Sequence, residues 1–187
     1  MTTDSQHAGP PLWDLAGEVS ELDVSSKDLA SARISFGLLD RLEAAGYLSQ
    51  DQKRRSQVAF DEAITNALEH GNLELKSEWR EQEGERGGDR YSETKALRLR
   101  QAPFSERRVN IRLEFDGACV ILRVRDEGPG FDPPTLFTVE NDLGEKSYGR
   151  GLRLMLHFMD AVEFREGGRL IELRKQLPAT SPLDGVE

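Results

Sequence analysis

Three short stretches of this 187-residue chain carry residue types that can do chemistry. The first runs from Asp61 to Gly71 and reads DEAITNALEHG. Glu62, Asn66 and His70 recur every fourth position, so on a helix they share one face. An Asn carbonyl oxygen suits Mg²⁺, a hard ion that keeps waters and takes substrate phosphates as ligands. A carboxylate one turn earlier can accept a proton from a nucleophilic hydroxyl, and Glu62 is a second candidate ligand for the metal. The plain alternative is a solvated helix face.

The second stretch is Asp126-Glu127-Gly128-Pro129-Gly130-Phe131-Asp132. An ordinary Gly/Pro turn accounts for it. Its functional reading rests on missing side chains: glycines let backbone approach a flat ligand. An aspartate there can accept a hydrogen bond from an exocyclic amine such as that of adenine. The third is Gly149-Arg150-Gly151-Leu152. At a helix entry, free N–H groups and the positive end of the dipole favour a phosphate, and Arg150 adds charge. The preceding Gly144–Gly149 has the spacing of a Walker loop, but Arg150-Gly151 stands where Lys-Ser/Thr is required.

Local patterns supply the elements that must position these residues. Residues 18–24 read as a short strand. Ser25 or Ser26 caps a helix over Leu29–Ala45 that Gly46 ends. Ser49 opens a second helix running to His70, with Phe60, Ala63, Ile64, Ala67 and Leu68 as its apolar stripe. Residues 73–107 are dense in mixed charge and read as a solvated insertion with two short helical pieces, in which Trp79 pins the segment to the domain. From Val109 to Phe115 apolar and polar residues alternate, the mark of a half-buried strand. Asp116-Gly117 is a hairpin turn signal, and Ala118–Arg125 is the partner strand. The glycine entry at 149–151 starts a helix with Leu152, Met155, Leu156 and Met159 on one face. Strands over 161–165 and 169–176 follow. Such elements predict an α+β, two-layer architecture.

The net charge is −9. Residues 1–28 hold six acids and one base and residues 178–187 two acids, so seven of those charges belong to the ends. Tails over 1–17 and 178–187 are expected to be loosely ordered, with residues 18–177 as one domain. An acidic chain lacks the basic footprint of a nucleic-acid binder. The longest apolar run, Ala118–Leu122, falls far short of a membrane span, and the first residues show no signal-peptide pattern. One cysteine, Cys119, forms no internal disulfide and fits a reducing cytoplasm.

In this order, the three stretches resemble the three boxes of the histidine-kinase-like ATPase superfamily, which includes gyrase and sensor kinases. EAITNALEHG, DEGPGF and the late phrase Phe158-Met159-Asp160-Ala161-Val162 bring the chain closer to the anti-sigma-factor serine/threonine kinases of bacterial partner switching. The resemblance covers residues 18 to 176, broken by the 73–107 insertion. It implies a two-layer sandwich of the Bergerat ATP-binding type, with a mixed, mostly antiparallel sheet and helices on one face. It implies ATP and Mg²⁺ as cofactors, with Asn66 binding Mg²⁺ and Glu62 acting as general base toward a serine. Asp126 reads the adenine amine beside Gly128, Gly130 and Phe131, residues 133–148 form a lid, and Gly149, Arg150, Gly151 and Leu152 hold phosphates. His70 is then structural or a phosphate neighbour, not a phospho-acceptor. The sequence departs from the superfamily at Arg169–Leu173, where a threonine is expected near adenine.

The resemblance implies a sigma factor or a STAS-domain anti-anti-sigma protein as partner, and allows a homodimer. A second reading keeps the nucleotide site but regulates its partner by sequestration, without phosphoryl transfer. A sensor histidine kinase fits poorly, since none of His7, His70 and His157 sits on a helix resembling a phospho-acceptor hairpin.

Overall fold

The computed structural model describes residues 16–85, 87–131 and 150–178. The expectations for the tails at 1–15 and 179–187, for the 133–148 lid and for Gly149 lie outside the described residues.

Alternating side chains build one antiparallel sheet of five strands: β1 (Glu18–Ser25), β2 (Arg108–Phe115), β3 (Cys119–Arg125), β4 (Ala161–Arg165) and β5 (Leu170–Gln176), in the order β1-β2-β3-β5-β4. Among the described residues every pairing is antiparallel, where a mixed, mostly antiparallel sheet was expected. Leu113 faces Leu122, which faces Leu173, and Ile111, Val124 and Ile171 form a parallel row. These residues, with Val109, Phe115 and Val120, are buried under the helices. The opposite face carries the other residues of the alternation, Arg112, Glu114, Arg123 and Glu172, joined by ion pairs within β2 and across to β3 and β5.

Five α-helices are described: α1 (Ser26–Leu29), α2 (Gly37–Ala44), α3 (Gln50–Asn66), α4 (Arg90–Arg98) and α5 (Arg150–Phe158). The expected single helix over Leu29–Ala45 is two helices with a break at residues 30–36. The apolar period ran across this break because Leu29 and the trio Leu38, Leu39 and Leu42 are all buried, but in different helices. Phe36 anchors the break by an edge-on contact with Phe60, ring centres 5.1 Å apart. Ser49 caps α3 as expected, in a reciprocal capping box with Gln52. Ala59, Phe60, Ala63 and Ile64 form the buried stripe of α3, which lies beside α5.

The α-helix stops at Asn66, not at His70. Residues Ala67–Asn72 form a wider π turn, with the Leu73 N–H bonded to the Leu68 carbonyl at 2.8 Å. Such turns are rare and concentrate at functional sites.

The charged segment 73–107 is less solvated than its composition suggests. Leu73, Leu75, Trp79 and Tyr91 are buried in the core. It does hold two short helical pieces, a 3₁₀ turn at Ser77–Glu81 and α4. Its arginines sit over aromatic rings: Arg90 lies 4.6 Å from the Trp79 ring centre and Arg98 4.5 Å from that of Phe104. Long cationic side chains pack their stems on apolar surface while the charged heads stay wet, so high charge and real packing coexist. Cys119 is half-buried, and burial pushes its thiol pKa up, away from a reactive thiolate. Among the described residues no helix is long and apolar enough to cross a membrane.

Candidate functional site

A cleft of about 590 Å³ opens between the end of α3, the loop after β3 and the start of α5. Glu62, Asn66 and His70 all line it, so the face that composition alone could assign to solvent is one wall. Asp126, Gly130, Phe131, Arg150, Gly151 and Leu152 also line it. Gly128 stands behind Asp126 instead.

The cleft has two chemically distinct ends. At one, Gly71 of the π turn packs against the Asp126 carboxylate so closely that any side chain at 71 would occupy the same space. A side chain at Gly128 would collide with the Gly71 carbonyl in turn. The three residues therefore bring the α3 end and the β3 loop together without intervening side chains. Asp126 follows directly after β3, and Oδ1 accepts the Gly128 N–H at 2.8 Å. Burial pushes its carboxyl pKa up to about 6, against the opposing Gly128 hydrogen bond and the charges of Arg169 and Arg107. A buried carboxylate beside the apolar sheet floor suits an amine-bearing ring.

The apolar floor comes from the sheet. Val124, Phe164 and Ile171 contribute it, with Met155 from α5. Phe131 remains 48% exposed, although it meets Phe164 edge-on at 5.4 Å between ring centres, so one ring edge stays available to a ligand. Gly168, at positive φ, leaves space that a side chain would take from Phe131. Ile171 lies on the late strand where a threonine was expected, so this wall presents a methyl group instead of a hydroxyl.

At the other end, Gly151 passes over the side chains of α3. A side chain at 151 would strike Glu62 Oε2 and come within 3.7 Å of Asn66 Nδ2. The N-terminal turn of α5, with its N–H groups and Arg150, thus faces a carboxylate and a carboxamide one helical turn apart. Among the described residues no cluster of three or more His, Cys, Asp or Glu could hold a metal alone. Two oxygen donors from α3 fit Mg²⁺ only where phosphates and waters complete its shell, which is its usual habit beside nucleotides.

His70 is positioned by its backbone surroundings. Its Nδ1 lies 2.7 Å from the Leu75 carbonyl. A carbonyl can only accept, so Nδ1 carries the proton in this contact and Nε2 is the other ring nitrogen.

Two buried neighbours of the site were not legible in the sequence. Asn72 is fully buried. Its Nδ2 donates to Ser26 Oγ and to the Arg108 carbonyl, both at 3.0 Å, while Oδ1 accepts the Glu127 N–H at 2.7 Å. It clamps the Asp126 loop to α1 and β2, yet an Asn after Gly reads simply as a helix stop. Glu69 is also buried. It takes a hydrogen bond from the Tyr91 hydroxyl and ion pairs from Lys95 at 2.5 Å and Arg80 at 3.3 Å. Burial alone would raise its carboxyl pKa, but Lys95 and Tyr91 outweigh that and hold it low.

Residues 93–175 match the sequence model of the histidine kinase-like ATPase domain. The match spans β2 to β5 with the Asp126 loop and the start of α5, and begins after α3. No curated protein matches the chain.

Proposed function

We propose, from the match of residues 93–175 to the histidine kinase-like ATPase domain and the geometry of the cleft, that the chain is an ATP-dependent serine/threonine protein kinase of the anti-sigma-factor type. Its substrate in this reading is a serine on a STAS-domain antagonist, and regulation runs by partner switching with a sigma factor. The observation that carries the kinase reading is Glu62, one turn before Asn66, with its carboxylate under the α5 entry at Gly151. A carboxylate at that point can take the proton of an incoming hydroxyl, which is what phosphoryl transfer to a serine asks of it.

In this reading the adenine lies at the Asp126 end and the phosphates at the Glu62 end. Asp126 accepts the adenine amine, and Phe131 with the sheet floor covers the ring. The α5 N–H groups and Arg150 neutralise phosphate oxygens. Mg²⁺, held by Asn66 with Glu62 adjacent, supplies charge neutralisation on the phosphates when bound. The incoming serine hydroxyl gives its proton to Glu62 as its oxygen bonds to the γ-phosphorus. The bond from that phosphorus to the β–γ bridging oxygen breaks and ADP leaves. Little covalent chemistry falls to the protein, so positioning and electrostatics dominate the rate.

The test is labelled ATP with purified STAS-domain candidates. The unaltered chain is expected to transfer label to serine. Glu62→Gln is expected to bind ATP normally and to lose transfer by at least a hundredfold, within the usual range for a missing general base (about 10²–10⁴). Nucleotide binding with no transfer to any such protein would replace this reading with sequestration alone.

A further inference from the structure

The charged segment between α3 and β2 reaches the cleft through one short turn. In the 3₁₀ turn Ser77–Glu81, residues three apart share a face. Ser77 and Arg80 both line the cleft. Trp79 points the other way, is buried, and lies under Arg90 and Arg98. The turn is thus anchored on one side and presents a hydroxyl and a guanidinium on the other.

Arg80 is held in place before any ligand arrives. Its guanidinium sits 3.7 Å from the Tyr91 ring centre and pairs with Glu69 at 3.3 Å. Half of its side chain nevertheless remains exposed. A planar guanidinium stacked on one face keeps donors around its edge for another partner.

Its place along the cleft follows from the π turn after α3. Glu69 lies in that turn, about two turns of chain beyond Glu62. It is two residues before Gly71, which touches Asp126. Arg80, paired with Glu69 of that turn, is therefore assigned to the Asp126 end of the cleft. We propose that the Ser77–Glu81 turn is a wall of the nucleotide site and that Arg80 contacts the nucleoside half of the ligand, its ribose hydroxyls or purine edge. This rests on the ATP-site reading above and gives the inserted segment a role in ligand recognition.

The experiment measures dissociation constants for ATP, ADP and AMP by calorimetry. The unaltered full chain is compared with Arg80→Ala, Arg80→Gln and Lys95→Ala. Lys95 also pairs with Glu69 but faces a separate hollow beside Leu29, Arg33 and Ile64. Arg80→Ala is expected to weaken all three ligands equally, by about tenfold to a hundredfold, the size of one lost hydrogen bond to a charged donor. Lys95→Ala is expected to leave them unchanged. Unaltered constants for Arg80→Ala, or a loss confined to ATP, overturn the inference. An equal loss in Lys95→Ala also overturns it, because Arg80 would then act only through Glu69. Should Arg80→Ala melt early, Arg80→Gln decides by the same criteria. If the unaltered chain binds none of the nucleotides, the ATP-site reading itself fails. A bound unaltered chain with an unaffected variant sinks the Arg80 assignment alone.

Discussion

Gly71 and Asp126 meet with no room for a side chain between them, which ties the end of α3 to the loop after β3. Gly71→Ala must therefore displace the carboxylate or open the cleft. Overpacking of this kind costs about 1–3 kcal/mol. The expected result is a lower melting temperature and a loss of ATP affinity of about tenfold or more, read by calorimetry. Unchanged binding by a stable Gly71→Ala protein would remove Asp126 from the site.

Asp126 stabilises the fold least where it would serve best as an acceptor. Its folded pKa of about 6 lies above its ordinary 3.8, because burial penalises the charge. A raised folded pKa means that its contribution is fully present below the unfolded value and is lost as pH rises toward 6. At pH 7 the buried charge costs about 2–3 kcal/mol relative to a neutral group. Asp126→Asn is thus expected to be more stable than the unaltered protein at pH 7, with the difference shrinking between pH 6 and pH 4. Parallel urea unfolding of both proteins across that range checks it. ATP binding is expected to weaken in the same variant.

Asn72 joins three elements through one carboxamide. In Asn72→Ala the Glu127 N–H and the Arg108 carbonyl lose their buried partner, at about 1–3 kcal/mol for such groups. Destabilisation by about 2 kcal/mol is expected, together with faster hydrogen exchange at the Glu127 amide. Slow exchange at that amide would show that the loop is held by other means.

Glu172 is fully buried on the sheet face opposite the helices, with ion pairs to Arg123 at 2.6 Å and Arg174 at 2.5 Å. Burial would raise its carboxyl pKa, but hydrogen bonds from Arg174 and Arg123 win and hold it low. The stabilisation is thus present above the ordinary carboxylate range and is lost as pH falls through the depressed value. Glu172→Ala leaves a cluster of arginines without their central counter-charge. Removing one member of a buried pair costs about 3–5 kcal/mol. These arginines are partly solvated, so about 2 kcal/mol is expected at pH 7 after screening. Guanidinium would mask the effect through its own salt, so urea is the denaturant of choice.

Much of this protein is local and was readable as such. Val109 to Phe115 alternates because one sheet face is buried and the other wet, and the period of two is written residue by residue. Ser49 and Gln52 cap α3 through groups three residues apart. Glu62 and Asn66 share a face because of α-helical spacing, and His70 reaches the same cleft from the π turn. Whether that face meets solvent or a ligand is not a local property. It is settled by α5 and the β3 loop, which lie far along the chain and close the cleft by packing. The same holds for the break between α1 and α2. Continuous apolar spacing could not reveal it, since Phe36 is drawn to Phe60 across a tertiary contact. The charged segment shows the limit most clearly. Its composition describes solvation, but Trp79 and Tyr91 bury while the half-exposed Arg80 lines the cleft. Period and spacing fix which residues move together. Only long-range packing, which sums burial over distant parts of the chain, decides what they face.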